Sequence, residues 1–228
     1  MKPFLAIAAA FVAISAPALL SATETDRRLD AAADLLTDMM QTSDKGVPQD
    51  LLNRSQCVIL IPGLKKAGFG IGGKYGRGFA MCRKPDGAGW TAPASMRIEG
   101  GSVGFQLGVS EQDVMLLVMK ETGMKRLLSD KFTLGGEATA AAGPVGRDAT
   151  AQTDALMRAE MLSYSRARGL FAGISLNGAT MRPDADANKE LYGAGVTNEQ
   201  ILMGQAKSPA SAAKMEGLLN KNSSRQTK

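Results

Sequence analysis

Residues 68–78 read GFGIGGKYGRG, and the use made of these glycines decides the fold. The first six letters match G-x-G-x-x-G, the pattern that cradles a dinucleotide pyrophosphate at a helix N-terminus. That use requires a helix immediately afterwards, because the helix supplies the N–H groups and the dipole. Instead Gly73, Gly76 and Gly78 follow, each costing about 1 kcal/mol in a helix, and Phe79 favours a strand. The acidic residue expected about 20 positions further on is missing as well, since Asp86 sits in a Pro-Asp-Gly turn. No G-K-[ST] stands at the Walker A distance. Glycine at alternating strand positions signals another backbone close by, a bulge or a sharp bend, and the stretch is read in that way.

Working outward, CVILIP (57–62) is a buried strand and GLKK a turn. Residues 75–83 and 89–98 are strands flanking KPDGA, a strong turn signal. SVGFQLGV and DVMLLVMK are further strands, ETGMKRLLSDK is a short helix, and KFTLGGEATAAAGPVG is a long strand of small residues that ends in a Gly-Pro turn. AEMLSYSRARG and LFAGISLNG form a hairpin broken at Gly169. Helices are expected at the two ends. In ETDRRLDAAADLLTDMMQ, Leu29, Ala33, Leu36 and Met40 share a face while Asp30, Asp34 and Asp38 share another. ADANKELYG and TNEQILMGQ close the pattern, with Thr197 and Gln200 spaced as a capping box. No βαβ alternation occurs. The fold class is therefore α+β: an antiparallel sandwich or barrel-like sheet with flanking N- and C-terminal helices.

The chain opens MKPFLAIAAAFVAISAPALLSA, with one cation before an apolar run too short for a comfortable membrane span. Residues 1–22 are expected to be a signal peptide, residues 23–206 one domain, and residues 207–228 a basic, disordered tail. The expected compartment is the periplasm, with the protein peripheral on a membrane or free. The whole chain has 27 Lys plus Arg against 22 Asp plus Glu. Lys2 leaves with the signal and the tail holds five cations and one acid, which leaves 21 of each sign in the body. A neutral body without a basic, aromatic-interleaved stripe argues against a nucleic-acid partner. Cys57 and Cys82 both lie in strand text; a disulfide and two buried thiols are both open readings.

The chain contains no histidine. That removes Ser-His and Cys-His nucleophile pairs and most zinc sites, so an enzyme is not expected, and neither is a cofactor or metal. Ser211 and Lys214 show the S-x-x-K spacing but fall in the tail. Asp184 and Asp186 lack the glycine and distal glutamate of a calcium loop. Trp90, the only tryptophan, is assigned to packing.

Taken in order, GFGIGGKYGRG, GWTAP, GGSVGFQLG, TLGGEATAAAGPVGR and SYSRARGLFAGISLNG resemble the signature blocks of the SYLF-domain lipid-binding family. The resemblance runs from about Asp30 to Gln205. It implies a non-enzymatic domain that binds phospholipid membranes. Eukaryotic relatives carry SH3 or FYVE modules and yeast members bind actin, whereas bacterial relatives are exported. The implied partner is anionic phospholipid or a membrane surface; the alternative is a structural or protein-interaction module of the cell envelope with an envelope protein partner. An anionic headgroup needs cations at turns. The candidates are Lys65, Lys66, Lys74, Arg77, Arg147, Arg166 and Arg168. Their gathering at one end of the sheet is the arrangement the lipid reading expects.

Overall fold

The computed structural model describes residues 22–41, 46–87, 89–145, 158–167 and 169–223, with the side chains of 69–71 and 102–107 outside the description. Residues 1–21 of the expected signal segment, Arg147 and Arg168 therefore lie outside the described residues. Helix α1 (Glu24–Gln41) and the short α2 (Gln49–Arg54) lead into two long strands, β1 (Cys57–Cys82) and β2 (Ala94–Val118). After α3 (Glu121–Leu127) come β3 (Phe132–Thr133), β4 (Ala140–Ala142), β5 (Met161–Ala167), β6 (Leu170–Gly173) and β7 (Thr180–Pro183). The chain closes with α4 (Ala185–Tyr192), α5 (Asn198–Leu202), a 3-10 turn at Ala210–Ala212 and α6 (Ala213–Asn222).

β1 and β2 form one antiparallel ribbon, from the pair Cys57↔Val118 to the pair Ala80↔Ala94. The two halves of β2 serve different neighbours. Its C-terminal half pairs with β5, and its N-terminal half pairs with β7, which carries β3 outside it. β4 and β6 share the other edge of β5, β4 parallel and β6 antiparallel. Among the described residues the result is one seven-stranded, mostly antiparallel sheet flanked by N- and C-terminal helices, the α+β class expected.

The ribbon is folded back on itself, and the glycines quoted above make that fold feasible. The register slips where Gly68 and Gly70 face Gly108 and Gly104, so the ribbon bends there. Downstream, the second half of β1 returns to its first half. A Cβ on Gly78 would sit 1.9 Å from the carbonyl oxygen of Leu60, and one on Gly76 would sit 2.7 Å from Ile61 Cγ2. Only a residue without a side chain permits that approach. At the base the Arg83 amide donates to the carbonyl of Gln56 at 2.8 Å. There too Cys57 and Cys82, the first and last residues of β1, form a disulfide with their Cα atoms 3.9 Å apart. The two cysteine readings left open by the sequence are settled in favour of the bond.

Period-two alternation sorts the ribbon's side chains into two cores. Ile59, Ile61, Val114 and Leu116 point to one side with Ile98 and Met181, where Ile201 and Leu202 of α5 join them. Val58, Leu60, Met115 and Leu117 point to the other, against Leu29, Leu36 and Met39 of α1 and Met215 and Leu219 of α6. The apolar face of α1 is thus a docking face, each buried side chain contributing roughly 2 kcal/mol. The capping box of α5 is present, with the Thr197 hydroxyl accepting from the Gln200 amide and the Gln200 side chain accepting from the Thr197 amide.

Three expectations are corrected. GLKK is no turn: β1 runs through it with a bulge between Ile61 and Leu64, where Gly63 takes φ +63°. Residues 131–142, ahead of the Gly143-Pro144 pair, are not one strand, because a turn at Gly135 separates β3 from β4. The basic tail is ordered as far as Ser223 among the described residues. α6 buries Met215 and Leu219, and Lys214 pairs with Asp34 of α1 at 2.7 Å. The physical reason is that the tail's few apolar residues fall at helical spacing, which counting its charges overlooks.

Candidate functional site

Buried Arg83, 5% exposed, shows how this chain uses a cation for architecture. Its guanidinium lies 4.1 Å from the Trp90 ring centroid. It donates to the carbonyls of Leu52, Asn53 and Ser55 at 3.3 Å, and also to the carbonyl and hydroxyl of Ser223. One side chain therefore satisfies the open C-terminal carbonyls of α2 and ties the end of α6 to the sheet.

Several of the sequence-nominated cations are engaged in the same manner. Arg77 donates from Nε to Asp184 at 2.5 Å and lies 3.5 Å from Glu24; the Asp184 contact raises its already high pKa. Arg166 bridges Asp38 of α1 and Asp113 of β2, the latter at 3.5 Å. Lys74 is 8% exposed and donates to the carbonyl of Asn177 at 3.1 Å. Burial, with Lys66 as a like-charged neighbour, pushes its pKa below the usual lysine value. Lys65 is exposed and Lys66 partly so, and neither makes an ion pair among the described residues.

The nominated residues therefore do not all converge. Lys65, Lys66 and Lys74 flank the bend of the ribbon, while Arg166 is tied into the α1 interface. Near the bend the surface is also apolar. Val109, which faces Ala67 in the register, is 79% exposed, and Tyr75 is 47% exposed.

Two arginines escaped the sequence reading. Arg97 of β2 faces Arg77 of β1 on one side and Arg182 of β7 on the other, so three guanidinium side chains form one row across three strands. Arg182 reaches Glu99 at 2.7 Å. The available signal was the placement of Arg97 and Arg182 inside otherwise apolar strand text, but their alignment depends on a pairing about 85 residues apart, which no local pattern encodes.

A cleft of about 540 Å³ lies between α4, α5 and the end of α3, with Leu128, Asp130, Asp186, Lys189, Val196 and Glu199 in its wall. Among the described residues no three His, Cys, Asp or Glu side chains gather as a metal set, and no helix is long and apolar enough to cross a membrane. The titratable groups in the cleft wall do not form a nucleophile and base pair of the kind a hydrolytic site needs.

The family model described as "Ysc84: Las17-binding protein actin regulator" matches residues 99–222. An SH3 domain-containing protein of Schizosaccharomyces pombe is 35% identical over 177 residues, covering 76% of this chain and 41% of the relative. LAS seventeen-binding protein 3 of Saccharomyces cerevisiae is 33% identical over 73% of this chain and 37% of its own length. SH3 domain-containing YSC84-like protein 1 of Mus musculus is 30% identical over 78% of this chain and 52% of its own length. The chain thus spans about half or less of these relatives, which are named as binding or regulatory proteins and not as enzymes. On these matches the chain belongs to the Ysc84 family, the SYLF domain family that its glycine-rich blocks resemble.

Proposed function

We propose that this chain is an exported, non-enzymatic protein of the bacterial cell envelope that docks on anionic phospholipid through the bent part of its β1–β2 ribbon. One observation carries the reading: exposed Lys65 shares a face of the ribbon with exposed Val109 at a bend of the sheet, Lys66 leaves by the opposite face, and neither lysine has an ion-pair partner among the described residues. A cation near an anionic leaflet contributes about 1 kcal/mol, and stable attachment needs a second, apolar contribution. The bend offers both. Export is supported by the apolar N-terminal segment and by the Cys57–Cys82 disulfide, since such bonds persist in oxidising compartments.

A second reading has its own support in the printed names of the relatives, one of which is a LAS seventeen-binding protein. On that reading the ribbon serves a protein partner of the envelope and lipid is incidental. Co-sedimentation separates the two. The chain without residues 1–22 is expected to pellet with vesicles containing phosphatidylglycerol and to stay in solution with phosphatidylcholine alone. Equal pelleting on both, or none on either, overturns the lipid reading and favours the protein partner.

A further inference from the structure

The row Arg77–Arg97–Arg182 places like charges directly opposite one another on adjacent strands, an arrangement that destabilises a sheet unless anions offset it. Directly opposed residues share a face, so the three guanidinium groups leave the sheet on the same side. The outer two are provided for. Arg77 has Asp184 and Glu24, and Arg182 has Glu99. Glu24 is shared with Arg28 as well, so Arg77 does not hold it alone. The central one is left over: among the described residues Arg97 makes no ion pair, and its buried Nε has no hydrogen-bond partner. Arg182 Nε is buried and unpartnered as well. Two unused buried N–H donors beside a surplus positive charge are costly, because buried donors are nearly always satisfied.

We infer that Arg97, flanked by Arg77 and Arg182, is a binding site for a phosphate-class oxyanion. The chemistry fits: a guanidinium offers parallel N–H donors that match two oxygens of a phosphate, and the neighbouring arginines add field without occupying those donors. An oxyanion here satisfies the orphaned Nε groups and removes the like-charge opposition at once. The same chemistry is met by inorganic phosphate and by a phosphomonoester headgroup. The site does not rest on the membrane reading, since Lys65 and Lys66 take no part in it.

The test uses the full chain without its first 22 residues and inorganic phosphate as the probe, at constant ionic strength set with chloride. Arginine Nε–H resonances are followed, with that of Arg97 identified by its loss in R97Q. A saturable shift of the Arg97 signal is expected, together with a rise in melting temperature that R97Q does not show. Affinity is expected to fall about tenfold or more in R97Q and by less in R97K, which retains charge but not the paired donors. In chloride alone R97Q is expected to be at least as stable as the parent, because it removes a like-charge opposition. A clear loss of stability there would mark Arg97 as architectural and overturn the site. Vesicles carrying phosphatidic acid supply the second arm. A shift of the Arg97 signal with phosphate alone assigns the site to a free oxyanion, and a shift with the vesicles as well assigns it to a headgroup. No saturable shift with either overturns it.

Discussion

Gly78 shows how much of this fold rests on single atoms. A methyl group there would overlap the Leu60 carbonyl at 1.9 Å, a backbone contact that no side-chain movement relieves. Gly78→Ala is therefore expected to destabilise by more than about 3 kcal/mol, read as the shift of a chemical denaturation midpoint. Gly101→Ala is the control: its Cβ meets nothing within 4 Å, and the strand is expected to gain about 0.5 kcal/mol from the lost backbone freedom. Lys74 makes a pH prediction. Its pKa is lower in the folded chain than the ordinary 10.5, chiefly because of burial, so between the two values the unfolded chain holds more protons. Stability is then gained as pH rises through that window. Lys74→Met is expected to flatten this alkaline rise in thermal melts recorded across pH, and an unchanged slope would show that Lys74 is not its source.

At the scale of elements, the disulfide and Arg83 do related work at the base of the folded ribbon. The bond spans 25 residues of sequence, so loop-closure entropy gives it about 3–4 kcal/mol. Cys57→Ala with Cys82→Ala is expected to lower stability by that amount, and the parent treated with reductant in denaturant is expected to refold to the same lower value. Arg83→Met leaves the carbonyls at the end of α2 without their donor and removes both Arg83 contacts to Ser223, whose carbonyl then keeps the bond from Trp90 at 3.3 Å. About 3 kcal/mol of destabilisation is expected, along with easier proteolysis of α6. Most of these elements were legible from local pattern. The three-to-four residue spacing of Leu29, Ala33 and Leu36 marks α1, and Thr197 with Gln200 marks the start of α5. The merging of five strand-like stretches into two long strands was not legible, because Gly63 and the Gly100–Gly101 pair read as breaks whereas the ladder runs through them. The docking of α6 was equally hidden: Met215 and Leu219 are too few to announce a helix without α1 beneath them.

For the molecule as a whole, a glycine-rich ribbon folded double, closed by a disulfide and braced by helices from both chain ends, presents its bend with Lys65, Lys66 and Val109 outward. The sequence nominated the cations of that region, Lys65 and Lys66 among them, by residue type and turn position. It could not tell them from Arg77 and Arg166, whose carboxylate partners arrive from distant segments. Arg97 was missed for the same reason: its meaning lies in Arg182, which only the sheet brings opposite. The most direct test of the account is vesicle co-sedimentation of the K65Q/K66Q double variant beside the parent chain. Loss of two surface cations is expected to cut binding to phosphatidylglycerol vesicles by about tenfold or more, at about 1 kcal/mol per lysine, while leaving the melting temperature unchanged. Undiminished pelleting of a folded double variant would contradict the claim that this bend is the membrane-facing surface.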